Sequence, residues 1–247
     1  MDMAKPSALM ELRLIREKVA RRFQLADALY RSAWMAKKMD LPPGERFLVL
    51  SPHPDDDVIG CGGTLLKLLG TGKALRILYL SLPDDAGSRE VRKRELEMSL
   101  KVLGAAEYRV NEADFPSTVK AAASLIRSEI SSWRPDCVMA PSPLENHDQH
   151  LMTYGALQQA LGELDERPDA LLYEIWGPLV PNLVVDISEQ LERKMECIRA
   201  HASQVSSIDY CEMISGLNRY RALSNGLKGH AEAYMSLPGD EVPTFLR

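Results

Sequence analysis

The chain has 247 residues, 45% of them hydrophobic and 26% charged, with a formal net charge of -5. That size and makeup suit one α/β domain with additions better than two full domains. The acidic balance argues against nucleic acid or an anionic membrane as the main partner, and leaves small neutral or basic substrates open.

Charges recur every few positions through the first forty residues, so neither a signal peptide nor a membrane span is expected there. Leu12, Ile15, Val19, Phe23, Ala26, Tyr30 and Trp34 recur at three- and four-residue steps, which predicts a long amphipathic helix between Pro6 and Pro42. Its apolar stripe is expected to pack on its own domain, with a subunit interface or a lid as alternatives. We therefore divide the chain into an N-terminal helix and linker, 1–44, and a main domain, 45–247.

Arg46 to Ser51 is a short apolar run bounded by Pro42-Pro-Gly44 and Pro52, which predicts a buried parallel strand. It stops at Ser51-Pro-His-Pro-Asp-Asp-Asp-Val-Ile-Gly-Cys-Gly-Gly-Thr64. Three consecutive carboxylates repel one another unless a cation, a proton or solvent relieves them. His53 beside them supplies a nitrogen suited to zinc. A solvated acidic turn capping the next helix is the alternative, since Asp favours helix starts. On this stretch alone both readings stand.

A helix over Val58 to Leu69, ended by Gly72, is followed by a strand at Leu75 to Leu80 and a turn-rich loop at Pro83 to Gly87. Next come a helix over Arg89 to Leu103 closed by Gly104, a strand at Glu107 to Val110, and a helix over Val119 to Trp133. Cys137 to Ala140 is a strand, and Asp148 to Leu161 a helix. This alternation predicts a Rossmann-like α/β fold, a mainly parallel sheet with helices on both faces and an N-terminal helical extension. Further on, strands are expected at Ala170 to Ile175 and Asn182 to Ile187. A helix capped by Ser188 should run to about Ala202, and another from Tyr210 to Leu223. No element is assigned between Leu223 and Pro238, and the tail from Pro238 reads as irregular.

Glu145-Asn-His-Asp-Gln-His150 decides between the two readings of the first cluster. It also follows a predicted strand, and two histidines three apart on one turn can face the same point. The chain has only five histidines, so this pairing points to a metal or catalytic site.

The two clusters together resemble the motifs of the PIG-L/LmbE-like de-N-acetylases, whose first motif reads His-Pro-Asp-Asp-Glu before a glycine-rich helix start. The second reads His-x-Asp-His. Here they appear as His53-Pro-Asp-Asp-Asp57 with Gly60, Gly62, Gly63 and Thr64, and as His147-Asp-Gln-His150. Asp57 replaces the usual Glu, and Gln149 stands where Asp is frequent. Arg92-Lys-Arg-Glu-Leu96, Trp133-Arg-Pro-Asp136, and Lys194 with His201-Ala-Ser-Gln204 extend the resemblance from about Phe47 to beyond Gln204.

The resemblance implies a zinc-dependent hydrolase, with another divalent metal as the alternative, that removes an acetyl group from the nitrogen of a sugar or sugar conjugate. The implied metal ligands are His53, Asp56 and His150. Asp55 is the implied general base, and His147 a cationic electrostatic partner. Arg92 is implied to reach the substrate, and His201 and Gln204 to contribute to the site rim, each with a structural role as the alternative. A homo-oligomer is also implied. Rival readings are a zinc amidase acting on another amide such as a thiol conjugate, a catalytically silent carbohydrate-binding relative, and a dinucleotide-binding protein. The last lacks the Gly-x-Gly-x-x-Gly spacing and has acids before its glycines. Cys61, Cys137, Cys197 and Cys211 show no Cys-x-x-Cys spacing, so neither a thiolate zinc cage nor a disulfide framework is expected, and a reducing cytoplasm fits. Cys61 reads as a buried structural thiol rather than a nucleophile.

Overall fold

The computed structural model describes residues 36–83, 85–105, 107–112 and 114–245. Of the helix expected between Pro6 and Pro42, residues 6–35 lie outside the described residues, and the described remainder is not helical but carries a strand at Lys37–Met39.

Among the described residues, eight strands form one sheet: β1 (Lys37–Met39), β2 (Arg46–Ser51), β3 (Ala74–Tyr79), β4 (Glu107–Val110), β5 (Cys137–Pro141), β6 (Asp169–Tyr173), β7 (Leu183–Asp186) and β8 (Ala231–Leu237). Their spatial order is β1-β7-β8-β6-β5-β2-β3-β4. All neighbours pair in parallel except β6 with β8 and β7 with β8. Seven helices are seen among the described residues: α1 (Asp56–Gly70), α2 (Ala86–Leu103), α3 (Val119–Trp133), α4 (Asp148–Gly162), α5 (Leu191–Arg199), α6 (Ala202–Val205) and α7 (Tyr210–Ser224). None is long and apolar enough to cross a membrane.

The period-2 alternation of the strands sorts their side chains between two cores. Phe47 and Val49 of β2 face the side covered by α1, α2 and α5. Leu48 and Leu50 face the side covered by α3 and α4. Both sets are fully buried, which is why the central strand reads as one continuous apolar run. The helices start and stop where local chemistry dictates. Asp85 accepts the amide of Ser88 at 2.8 Å to cap α2, and Thr118 accepts that of Ala121 at 3.1 Å to cap α3. Before Pro135, Arg134 turns left-handed at φ 50° to end α3.

After β2 the chain builds outward through β3 and β4, then returns to lay β5 on the other side of β2. The crevice at the carboxyl ends of β2 and β5 is therefore a topological switch point, where open α/β sheets bind ligands. The loops leaving those two strands carry the two sequence clusters.

Three features differ from the sequence reading. Strand β8 occupies a stretch assigned no element, because its Ala, Glu and Ser content gives little strand signal and its antiparallel partners lie 45 to 67 residues away. Strand β1 is likewise set by pairing, with Lys37–Met39 against Leu183–Val185. The helix after β7 starts at Leu191 with Gln190 at its cap. Ser188 is used elsewhere, since its hydroxyl donates to Asp186 Oδ1 at 2.5 Å and accepts the amide of His230 at 3.0 Å.

Candidate metal centre

Asp55, Asp56 and Asp57 occupy the start of α1, where Asp55 stands at the N-cap without a side-chain capping hydrogen bond. The helix turn sends the three in different directions. Asp56 Oδ2 is the focus: it accepts the backbone amide of His53 at 2.8 Å and lies 2.9 Å from His53 Nδ1 and 3.2 Å from His150 Nε2. Asp55 faces Arg92, with Oδ1 3.2 Å from Nη2. Asp57 points back under the sheet, where Tyr79 donates to Oδ2 at 2.9 Å, while its Oδ1 has no partner among the described residues.

His53, Asp56 and His150 each offer a ligand atom within 4.8 Å of the others. Two imidazoles and one carboxylate suit a first-row divalent ion. Burial alone would raise the Asp56 carboxyl, but the imidazoles of His150 and His53 outweigh it and hold the group well below the usual range. Burial works against the imidazolium of His150, yet the Asp56 and Glu145 carboxylates carry it up to about 10. His53 is raised by the same contest of burial against Asp56. The pocket thus concentrates negative potential that protons neutralise, a role a cation can take over.

Supporting groups fix each imidazole. His150 Nδ1 faces Glu145 Oε2 at 3.2 Å, which leaves Nε2 aimed at Asp56. His53 Nε2 meets Gln149 Oε1 at 2.5 Å, which leaves Nδ1 aimed the same way. Such outer partners orient metal-binding histidines. Glu145 had a sequence signal, as an acid beside two histidines after a strand. Gln149 had none in its residue type.

His147 caps α4, and its Nδ1 accepts the amide of Gln149 at 3.3 Å. Its ring centroid lies 4.9 Å from those of His53 and His150. Burial, then the two neighbouring imidazoles, push His147 down. An accepting Nδ1 also requires the neutral tautomer with the proton on Nε2, so the ring is a neutral donor here rather than the cation that the resemblance implies.

The cluster opens into a cleft of about 970 Å³ lined by Asp55, Arg92, His147, Trp176, Gln204 and Tyr210 among others. Burial raises Asp55, with Arg92 opposing and Asp56 adding to the rise. Arg92 is buried and also pairs with Glu95 at 3.4 Å, while Glu95 accepts both the amide and the hydroxyl of Ser203. Gln204 is therefore anchored to the Arg92 network through the neighbouring Ser203. His201 does not line the cleft. It is buried, neither ring nitrogen has a partner among the described residues, and burial with Arg92 nearby pushes it down to about 3.

Beneath the site, α1 is pinned to β8. Glu232 accepts the amides of Gly63 and Thr64 at 2.8 and 2.7 Å, the Thr64 hydroxyl at 2.6 Å and the Tyr234 hydroxyl at 2.9 Å, and pairs with buried Lys194 at 2.7 Å. The helix approaches so closely that a Cβ on Gly60 would sit 2.3 Å from the Tyr173 ring, and one on Gly63 2.7 Å from Ile187. Cys61 is free, its thiol is raised by burial and then by Glu232, and it donates to Asp57 O, so nothing activates it.

Residues 48–161 match the PIG-L family, described as GlcNAc-PI de-N-acetylase. The chain is 28% identical to diacetylchitobiose deacetylase of Thermococcus kodakarensis over 246 residues, covering 83% of this chain and 90% of that protein. It is 29% identical to 2'-N-acetylparomamine deacetylase of Streptomyces fradiae over 206 residues, covering 64% and 73% respectively. Among solved structures, a conserved protein from Thermus thermophilus shares the fold, with a TM-score of 0.69 at 24% identity over 80% of this chain and 96% of that one. Residues 48–161, which carry both histidine clusters, are thus similar to the PIG-L family of de-N-acetylases.

Proposed function

We propose that this protein is a zinc-dependent N-deacetylase acting on an N-acetylated sugar or sugar conjugate. The observation that carries the reading is the convergence of His53, Asp56 and His150 beside Asp55 in one cleft at the sheet's switch point. The named deacetylases among its relatives support the same chemistry. A cytoplasmic homo-oligomer belongs to this reading, and its four free cysteines suit a reducing compartment.

His53, Asp56 and His150 would hold the zinc. The ion, when bound, supplies Lewis acidity toward the amide carbonyl and makes water nucleophilic near neutral pH. Asp55, partnered by Arg92, takes the proton of the attacking water and returns it to the leaving nitrogen. His147 offers Nε2–H to the charge that grows on the amide oxygen. Gln204 and the free face of Arg92 bind sugar hydroxyls, and buried His201 supports the Arg92 side of the wall. Water and the acetamide yield a free amine and acetate.

Purified protein loaded with zinc is expected to bind close to one ion per chain and to release acetate from N-acetylglucosamine or one of its conjugates. Elemental analysis showing no uptake sinks the metal reading, and full occupancy with no acetate from any N-acetyl sugar sinks the substrate reading.

Zinc binding should also release protons. His150, carried up to about 10, holds at neutral pH a proton that a ligand must give up, and His53 is shifted in the same direction by Asp56. Calorimetry in buffers of different ionisation enthalpy is expected to read about one to two protons released per ion, with affinity falling as pH falls. Affinity independent of pH between 6 and 8 contradicts this ligand set.

A further inference from the structure

We propose that Glu145 is a positioning residue with two duties, fixing the His150 imidazole toward the metal and holding the backbone that forms the cleft wall. The proposal rests on the metal reading above, and it concerns a carboxylate to which that reading gives no part in catalysis. Glu145 is buried, so water does not compete for its oxygens. Oε2 meets His150 Nδ1 at 3.2 Å and accepts the amide of Trp176 at 3.2 Å. Oε1 accepts the amides of Ile175 at 2.7 Å and Gly177 at 3.4 Å. A carboxylate has about four lone-pair directions, and here all are used. Three successive amides on one carboxylate form a backbone nest of the kind that binds anions.

The loop so held has little freedom. A Cβ on Gly177 would lie 1.9 Å from the carbonyl oxygen of Leu144, so the backbone is seated against the residue preceding Glu145. Its far end is closed by Glu174, which accepts the amide of Leu179 at 2.7 Å, and by Arg221, whose fork grips Glu174 at 2.7 and 2.6 Å and Leu179 O at 2.7 Å. Ile175 and Trp176 are thereby presented to the cleft, the Trp176 ring edge-on to Tyr210 at 5.6 Å. One carboxylate therefore sets the distance between a metal ligand and the surface against which the substrate lies.

Glu145→Gln separates this from a role in either part alone. Its amide has one accepting oxygen and one donating nitrogen, while His150 Nδ1–H and the three loop amides are all donors. Whichever way the amide turns, one set loses its acceptor, and the shared register of metal and wall is lost. Zinc affinity is expected to fall about 10- to 100-fold. In protein labelled with 5-fluorotryptophan, the Trp176 fluorine resonance, identified by its loss in Trp176→Phe, should shift even without metal. KM should rise at saturating zinc.

Weaker zinc binding with an unchanged resonance and KM would reduce Glu145 to a partner of His150 and overturn the proposal. A shifted resonance with unchanged zinc affinity would make it a loop anchor only, which also overturns it, as would no change in either. Should Glu145→Gln not fold, Glu145→Asp keeps the carboxylate one methylene short of its partners, and the same two readouts must move together. Affinity and resonance require no substrate, so absence of acetate release by the wild type is scored separately, against the deacetylase reading.

Discussion

Asp55→Asn is expected to keep its zinc and lose turnover by about 10² to 10⁴, the usual contribution of a positioned general base. Asn preserves the shape beside α1 and can still accept from Arg92 Nη2, now 3.2 Å from Asp55 Oδ1, but its amide cannot take a proton from water. Asp56→Ala is expected to behave in the opposite way, losing zinc and activity together, because it removes the oxygen that both imidazoles face. Zinc content and acetate release, measured on both variants at neutral pH after confirming their folds by circular dichroism, separate the two neighbours. Full turnover in Asp55→Asn would remove it as the base. Zinc loss in that variant, with retention in Asp56→Ala, would exchange the two roles.

Glu232→Ala should cost about 3–5 kcal/mol of folding stability, the range for breaking a buried pair by removing one partner. The change strands Lys194, which is fully buried and, among the described residues, keeps Asn218 Oδ1 to accept from it at 3.1 Å. It also removes the acceptor used by the amides of Gly63 and Thr64 and by the Tyr234 hydroxyl. Because Gly63 and Thr64 belong to the helix that starts at the acidic cluster, zinc affinity should fall with stability. Urea unfolding of the metal-free variant reads the first effect directly. A loss below about 1 kcal/mol, the centre of ordinary point-mutant effects, would mean that water replaces the carboxylate and that β8 does not anchor α1.

The sequence determined whatever depends on near neighbours. Apolar runs and helical periods located β2 through β7 and their helices to within a few residues, because a strand or helix buried on a sheet needs those patterns locally. Its two short clusters named the chemistry, since His53 and Asp56 lie in one turn, and His147 and His150 in another.

Contacts that join distant segments were decided by tertiary structure alone. Glu232 lies in a stretch to which no element was assigned, and it becomes a buried acceptor because the fold closes the 168 to 169 residues separating it from Thr64 and Gly63. Gln149 stands where the motif it resembles often has Asp, but sheet order brings it across 96 residues to His53. The neutral tautomer of His147 follows from the crowding of three imidazoles that come from two loops. Glu145 was visible as an acid beside histidines, yet its hold on Ile175, Trp176 and Gly177 exists only because β5 and β6 lie side by side. Local pattern encodes which side chains are available, whereas burial and the pairing order of the strands decide which carboxylate answers which donor, because in a dry interior each polar group must find its partner wherever the chain has put it.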